Sequence, residues 1–248
     1  MSGHSKWATI KHKKGAADKA RAKVFNKIAR QLEVAAREGG ADPSSNASLR
    51  NVILKAKGAQ MTNDAIDRAV KRGAGLNDGG NYEALTYEGY APGGVAMMVD
   101  VLTDNRNRTG ADVRNVFNKL GGSMAEPGAV GWQFSRRGVL MVSGGDEDTV
   151  MMAALDAGAD DVNPDADGWR ITSEPSIVYD VRDALQAAGL TVASAESTMV
   201  SSLTVDVTDV EDAKKILRIM DALEELDDVQ DVYSNFDISD ELMEVVGG

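Results

Sequence analysis

Lys6, Lys11, Lys13 and Lys14, with Trp7 and His12 set among them in the string GHSKWATIKHKK, are the residues of this chain whose types and spacing most directly specify chemistry. Closely spaced ammonium groups neutralise phosphates, and each neutralised phosphate releases condensed counterions, so the string suits a polyanion. An indole and an imidazole between lysines can stack on bases or riboses. Trp7 can equally dock the arm onto a helical body. His4 and His12 are the only histidines, both in this arm, so the rest of the chain supplies neither a Ser-His-Asp arrangement nor a histidine metal cluster. There are no cysteines, which removes disulfides, thiol nucleophiles and thiolate-bound metals and fits a reducing compartment. The expectation is a protein with no catalytic residue, no metal and no cofactor.

The positive charge continues beyond the arm. Lys19, Lys23, Lys27 and Arg30 run alongside an apolar stripe of Ala20, Val24, Ile28, Leu32 and Ala36, the four-residue recurrence of an amphipathic helix. These cations read either as an extension of the polyanion surface or as the snorkelling rim of a helix. A second anion candidate is TDNRNRTG, where Arg106 and Arg108 precede a helix opened by a Thr109–Asp112 capping pattern; free backbone N–H groups at a helix start favour an anion. The competing reading is a polar loop in which Asp104 pairs with one arginine. Arg136-Arg137 is a weaker basic pair, and the neighbouring Trp132 and Phe134 read as core. In NPDADGWRITSE, Asn163, Asp165, Asp167, Gly168 and Glu174 have the spacing of an EF-hand calcium loop. The flanks read as strands, Asn replaces the first carboxylate, and DADG suits a hairpin turn, so calcium is rejected. GAGLNDGG lacks the dinucleotide and P-loop patterns and reads as a linker. No RNP1-like string supports an RNA-recognition motif.

The elements that must position these residues change in texture along the chain. Three helices are expected before Leu76: the striped one, ended by Gly39-Gly40; one bearing Leu49, Val52, Ile53 and Ala56; and one opened by Thr62 or Asn63 and bearing Ile66, Ala69 and Val70. Two strands joined by a Pro-Gly-Gly turn follow in LTYEGYAPGGVAMMVDVLTD, then a helix ending at Gly121-Gly122. Strand signals in VGWQF and GVLMVSG, a helix, two strands around NPDADG, a helix and a strand in TVASAEST make a ferredoxin-like order. SSLTVDVT, a long helix and VQDVYSNFDI are expected to complete the sheet begun at Leu85. The fold class is therefore α+β: a basic arm and helical domain over 1–75, a discontinuous α+β domain over 82–133 plus 201–240, and an inserted acidic ferredoxin-like domain over 134–200. Charge follows the same division. The formal net charge is -12 over 248 residues, but residues 1–72 hold 16 Lys and Arg against 6 Asp and Glu, whereas 139–248 hold 5 against 26. A module that seeks a polyanion is joined to modules that repel one. No apolar run approaches the roughly 18 residues of a membrane span, and the basic start has no following apolar segment, so a cytoplasmic protein without a membrane partner is expected.

GHSKWATIKHKK, AAREGG, YEGYAPGGVA, LTDNRNRT and GWQFSRRG, in this order, closely resemble the YebC/PmpR family, whose mitochondrial relatives are translational activators of cytochrome c oxidase. The resemblance spans essentially the whole chain. It implies a helical N-terminal domain, an α+β domain interrupted by a ferredoxin-like one, and a non-catalytic role in gene expression. Two modes are open: a DNA-binding transcriptional regulator, or a ribosome-associated factor that contacts rRNA or tRNA and assists synthesis of proline-containing stretches. In the second mode a basic ribosomal protein would be a partner for the acidic domains. The third helix, with NDAIDRAVKR, has an acidic start and no evident base-reading face, so the residues themselves do not choose between the modes.

Overall fold

The structure, a computed structural model, describes residues 17–75, 81–165 and 168–247. Two compact units are present: Trp132–Leu203, and a second unit made of the chain before Trp132 and after Leu203.

In the discontinuous unit three helices come first: α1 (Ala17–Gly39), α2 (Ala47–Gly58) and α3 (Asn63–Gly73). Asn46 caps α2 by accepting the Leu49 N–H, and Thr62 caps α3 by accepting the Ala65 N–H, which satisfies donors a helix start leaves orphaned. Ile28, Leu32 and Ala36 of the α1 stripe are buried with Leu49, Ala56, Ile66 and Ala69 in one small core. Val24 is not part of it and stays 44% exposed. α1 and α3 touch closely because position 73 is glycine: a Cβ there would lie 2.2 Å from the Glu33 carbonyl oxygen. Arg72 clasps the buried Glu33 carboxylate at 2.6 Å beside this contact.

A four-stranded antiparallel sheet follows in the order β3-β1-β2-β9, with β1 Glu83–Ala91, β2 Val95–Thr103, β3 Ser123–Ala125 and β9 Val229–Ser234. Gly93 and Gly94 take φ of 75° and 77° in the β1–β2 turn, a backbone only glycine adopts freely. Helices α4 (Arg106–Leu120) and α7 (Val210–Glu224) bury Val113, Phe117, Ile216, Ile219 and Leu223 against Val95, Met97, Val99 and Val101. Two expectations are corrected here. The Thr109–Asp112 pattern does not start α4: the helix begins a turn earlier, capped by Asn105, and Thr109 is 1% exposed. SSLTVDVT and VQDVYSNFDI do not both complete the sheet. The second breaks at Asn235, whose side chain accepts the Ala96 N–H, so only β9 pairs with β2, while β10 (Phe236–Ile238) forms a separate parallel pair with β8 (Val205–Val207). A final helix, α8 (Asp240–Gly247), follows.

The unit Trp132–Leu203 has its own core. Its strands β4 (Phe134–Ser143), β5 (Asp161–Asp165), β6 (Gly168–Ser173) and β7 (Thr191–Ser201) lie in the antiparallel order β5-β6-β4-β7, with α5 (Glu147–Asp156) and α6 (Val178–Ala187) as crossovers. This is the ferredoxin-like arrangement. Leu140, Val142 and Ile171 of the sheet meet Val150, Ala154, Val181 and Leu185 of the helices. Asp165 pairs with Gly168 across a hairpin, so the calcium look-alike has strands on both sides, not the helices an EF-hand requires. Residues 131–133 form a 3-10 turn, not a strand, and Trp132 is 69% exposed, so it is not core; Phe134 is buried.

Candidate nucleic-acid interface

Lys6, Trp7, Lys11, His12, Lys13 and Lys14 lie outside the described residues. Lys19 falls within α1, but its side chain is likewise outside them. Lys23, Lys27 and Arg30 occupy successive turns of one α1 edge, and the structure brings that edge onto the segment that closes α7. The Lys23 ammonium donates to the Glu225 carboxylate at 3.0 Å and to the Glu225 carbonyl, and Lys27 donates to the Glu224 carbonyl at 2.9 Å. Arg30 donates to the Asp227 carbonyl and to Asp228 Oδ1, both at 2.9 Å, and lies over the Tyr82 ring. Carbonyls at a helix C-terminus carry the negative end of the helix dipole, so Lys23 and Lys27, placed on the Glu225 and Glu224 carbonyls, are favourably sited.

Asp228 is the hub of this junction. Its carboxylate, 8% exposed by residue, also accepts Arg108 Nη2 at 2.7 Å, the Thr109 hydroxyl at 2.7 Å and the Thr103 hydroxyl at 3.2 Å. Burial works to raise the Asp228 carboxyl, and the hydrogen bonds from Arg108, Thr109 and Arg30 outweigh it, holding the group below its ordinary range. Arg108 also binds Asp104 at 2.8 Å. The pairing of Asp104 with an arginine is thus present, and the larger partner of Arg108 is an aspartate 120 positions away. Arg106 differs: its side chain is 68% exposed and comes only within 3.8 Å of Glu83. Of the two arginines at the start of α4, Arg106 is the one turned to solvent.

The helical domain carries further cations that sequence reasoning passed over. Arg50 and Lys57 of α2, and Arg68 and Lys71 of α3, are exposed and form no ion pair among the described residues. Their signal was available: seven- and three-residue spacings put each pair on one helix face, beside the apolar face on α2 and opposite it on α3. Elsewhere, Arg137 contacts Glu174 at 3.4 Å and Asp160 at 3.5 Å. Another buried carboxylate, Glu88, accepts the backbone N–H groups of Gly128, Val130 and Gly131 at 2.6–2.8 Å. Burial opposes its charge, and the three donors prevail, lowering its pKa. These three bonds tie the loop after β3 to β1. Among the described residues, no group of three or more His, Cys, Asp or Glu side chains could hold a metal ion, and no helix is long and apolar enough to cross a membrane.

A cationic three-helix domain joined to an α+β domain that is interrupted by a ferredoxin-like one defines the class of protein. Residues 5–76 match the model described as "TACO1/YebC protein N-terminal domain", and residues 82–236 match "TACO1/YebC second and third domain". This chain belongs to the TACO1/YebC family. It is 53% identical to a "Probable transcriptional regulatory protein" of Rubrobacter xylanophilus over 251 aligned positions, covering all of both chains, and 53% identical to one of Shewanella oneidensis, again over all of both. A solved structure of a conserved hypothetical protein from Aquifex aeolicus is 42% identical, with a TM-score of 0.78 over 90% of this chain and 93% of that one.

Proposed function

We propose that this protein is a non-enzymatic, nucleic-acid-binding regulator of gene expression, acting in the cytoplasm on transcription through duplex DNA. The observation that carries the reading is the segregation of charge: 16 Lys and Arg against 6 Asp and Glu in residues 1–72, in a chain whose net charge is -12. A strongly acidic protein approaches a polyanion only through a cationic region, and its acidic remainder orients that approach. The names of the Rubrobacter and Shewanella relatives, probable transcriptional regulatory proteins, support transcription as the level of control. In this reading Lys6, Lys11, Lys13 and Lys14 contact phosphates, Trp7 and His12 stack or pack beside them, and Arg50, Lys57, Arg68, Lys71 and Arg106 extend the surface. Lys19 continues the arm into α1. Lys23, Lys27 and Arg108 would reach a phosphate only in exchange for Glu225, the Glu224 carbonyl and Asp228.

Titration of the full chain into a fluorescent 30-base-pair duplex tests this. At about 50 mM salt, where phosphate contacts are strong, the wild type binds, and changing Arg50, Lys57, Arg68 and Lys71 together to Ala weakens binding about tenfold or more without moving the thermal midpoint. Absence of wild-type binding, or a preference for folded RNA by orders of magnitude, overturns the DNA reading.

A further inference from the structure

Helix α5 of the ferredoxin-like unit is more apolar than its own core requires. Val150 and Ala154 are fully buried, with Ala153 packed beside them, and a ten-residue crossover helix needs little more to seat on its sheet. Yet Met151, Met152 and Leu155 are 37%, 66% and 52% exposed. Met151 and Leu155 are four residues apart and Met152 and Leu155 three, so the three side chains share one outward face. An exposed apolar cluster on a helix otherwise supplied with a core marks an interaction site. Methionine suits such a surface, because its unbranched thioether adapts to the shape of a partner.

The rim chooses the partner. No Lys or Arg occurs between Arg137 and Arg170, whereas Asp146, Glu147, Asp148, Asp156, Asp160 and Asp161 all fall in that interval. Asp148 lies one turn before Met151 and Met152 on the same face; Glu147 and Asp156 border it. The last turn of α5 carries no basic residue, so the negative end of its dipole adds to the field. The unit from 132 to 203 as a whole holds twelve Asp and Glu against four Arg and no Lys. This surface repels nucleic acid and acidic proteins alike.

We infer that the outward face of α5, centred on Met151, Met152 and Leu155, is a docking site for a basic amphipathic segment of another protein, whose aliphatic anchors cover the three apolar side chains while its lysines or arginines meet Asp148, Glu147 and Asp156. Apolar contact supplies the adhesion, and the acidic rim selects the sign of the partner and speeds the encounter. The inference is independent of the polyanion reading, because no nucleic acid enters it and the cationic helices take no part.

The test uses the full chain labelled on its methionine methyl groups and a 14-residue Leu/Lys peptide patterned as an amphipathic helix. A peptide of the same composition, scrambled so that its leucines do not share a face, is the control. Expected is a saturable shift of the Met151 and Met152 methyl signals with the patterned peptide. Binding should weaken with salt, weaken tenfold or more with the scrambled peptide, and weaken to the same extent with the M152K/L155K double variant. Because both substituted side chains are exposed, the variant keeps the wild-type thermal midpoint. Unmoved Met151 and Met152 signals, equal binding by the scrambled peptide, or equal binding by the double variant overturns the proposal.

Discussion

Asp228 is the residue on which three parts of the chain converge: Arg30 from α1, Arg108 and Thr109 from α4, and Thr103 from the end of β2. Replacing it with Ala leaves two guanidinium groups and two hydroxyls without their common acceptor, and breaking a buried charged network of this kind costs about 2–4 kcal/mol. Urea unfolding should show that loss, and Arg106→Ala, on the same helix turn, should change stability by less than about 0.5 kcal/mol. The sign of the pH dependence follows from the carboxylates. Asp228 and Glu88 both have folded pKa values below their unfolded ones. Their contribution is complete above the unfolded values, near pH 4, and is lost as pH falls through the folded ones. The urea midpoint should therefore drop on acidification below about pH 4, and Asp228→Asn should flatten that drop. An unaltered acid profile in the variant would remove Asp228 from the account.

Elements were legible where their own periodicity or caps define them. The α1 stripe, the Thr62 cap, the Pro-Gly-Gly hairpin and the helix stop at Gly121, whose φ is 88°, are all local signals. What failed depended on distant partners. Thr109 looked like a cap because Asp112 follows at the right spacing, but its hydroxyl answers to Asp228. The strand in VQDVYSNFDI divides because Asn235 is held by Ala96, 139 positions away. Lys23 was visible as a cation on a helix edge, and nothing near it pointed to Glu225, 202 positions on. The short α8 had local markers, a Ser239 cap that accepts the Leu242 N–H and an acidic start at Asp240 and Glu241, whereas the exposure of Trp132 had none. The close approach of α1 and α3 at Gly73 was equally hidden. Gly73→Ala should force the Glu33 backbone aside and cost about 2 kcal/mol, with Arg72 pulled from its carboxylate; wild-type thermal stability would show that the helices have room to separate.

At the scale of the molecule, the ends of the inserted unit meet: Phe134 pairs with Ser201, and the Ser202 N–H reaches the Gln133 carbonyl at 2.8 Å. With a separate core around Leu140, Ile171 and Leu185, residues 132–203 should unfold cooperatively as an isolated fragment. Joining Gly131 to Thr204 by a short Gly-Ser linker should leave the remaining chain folded, as a dispersed amide spectrum would show. The charge gradient is the other property of the whole, and it was fully legible because it needs only counting. In the proposed function, the cationic N-terminal region grips phosphates for a chain that would otherwise avoid them. Binding of the full chain to duplex DNA, measured as log K against log salt, tests it most directly. Each phosphate contact contributes a slope of about -0.9 on duplex DNA, so changing Lys11, Lys13 and Lys14 to Ala should flatten the slope by roughly 2 to 3 units. A triple variant with the wild-type affinity and the wild-type slope would contradict it.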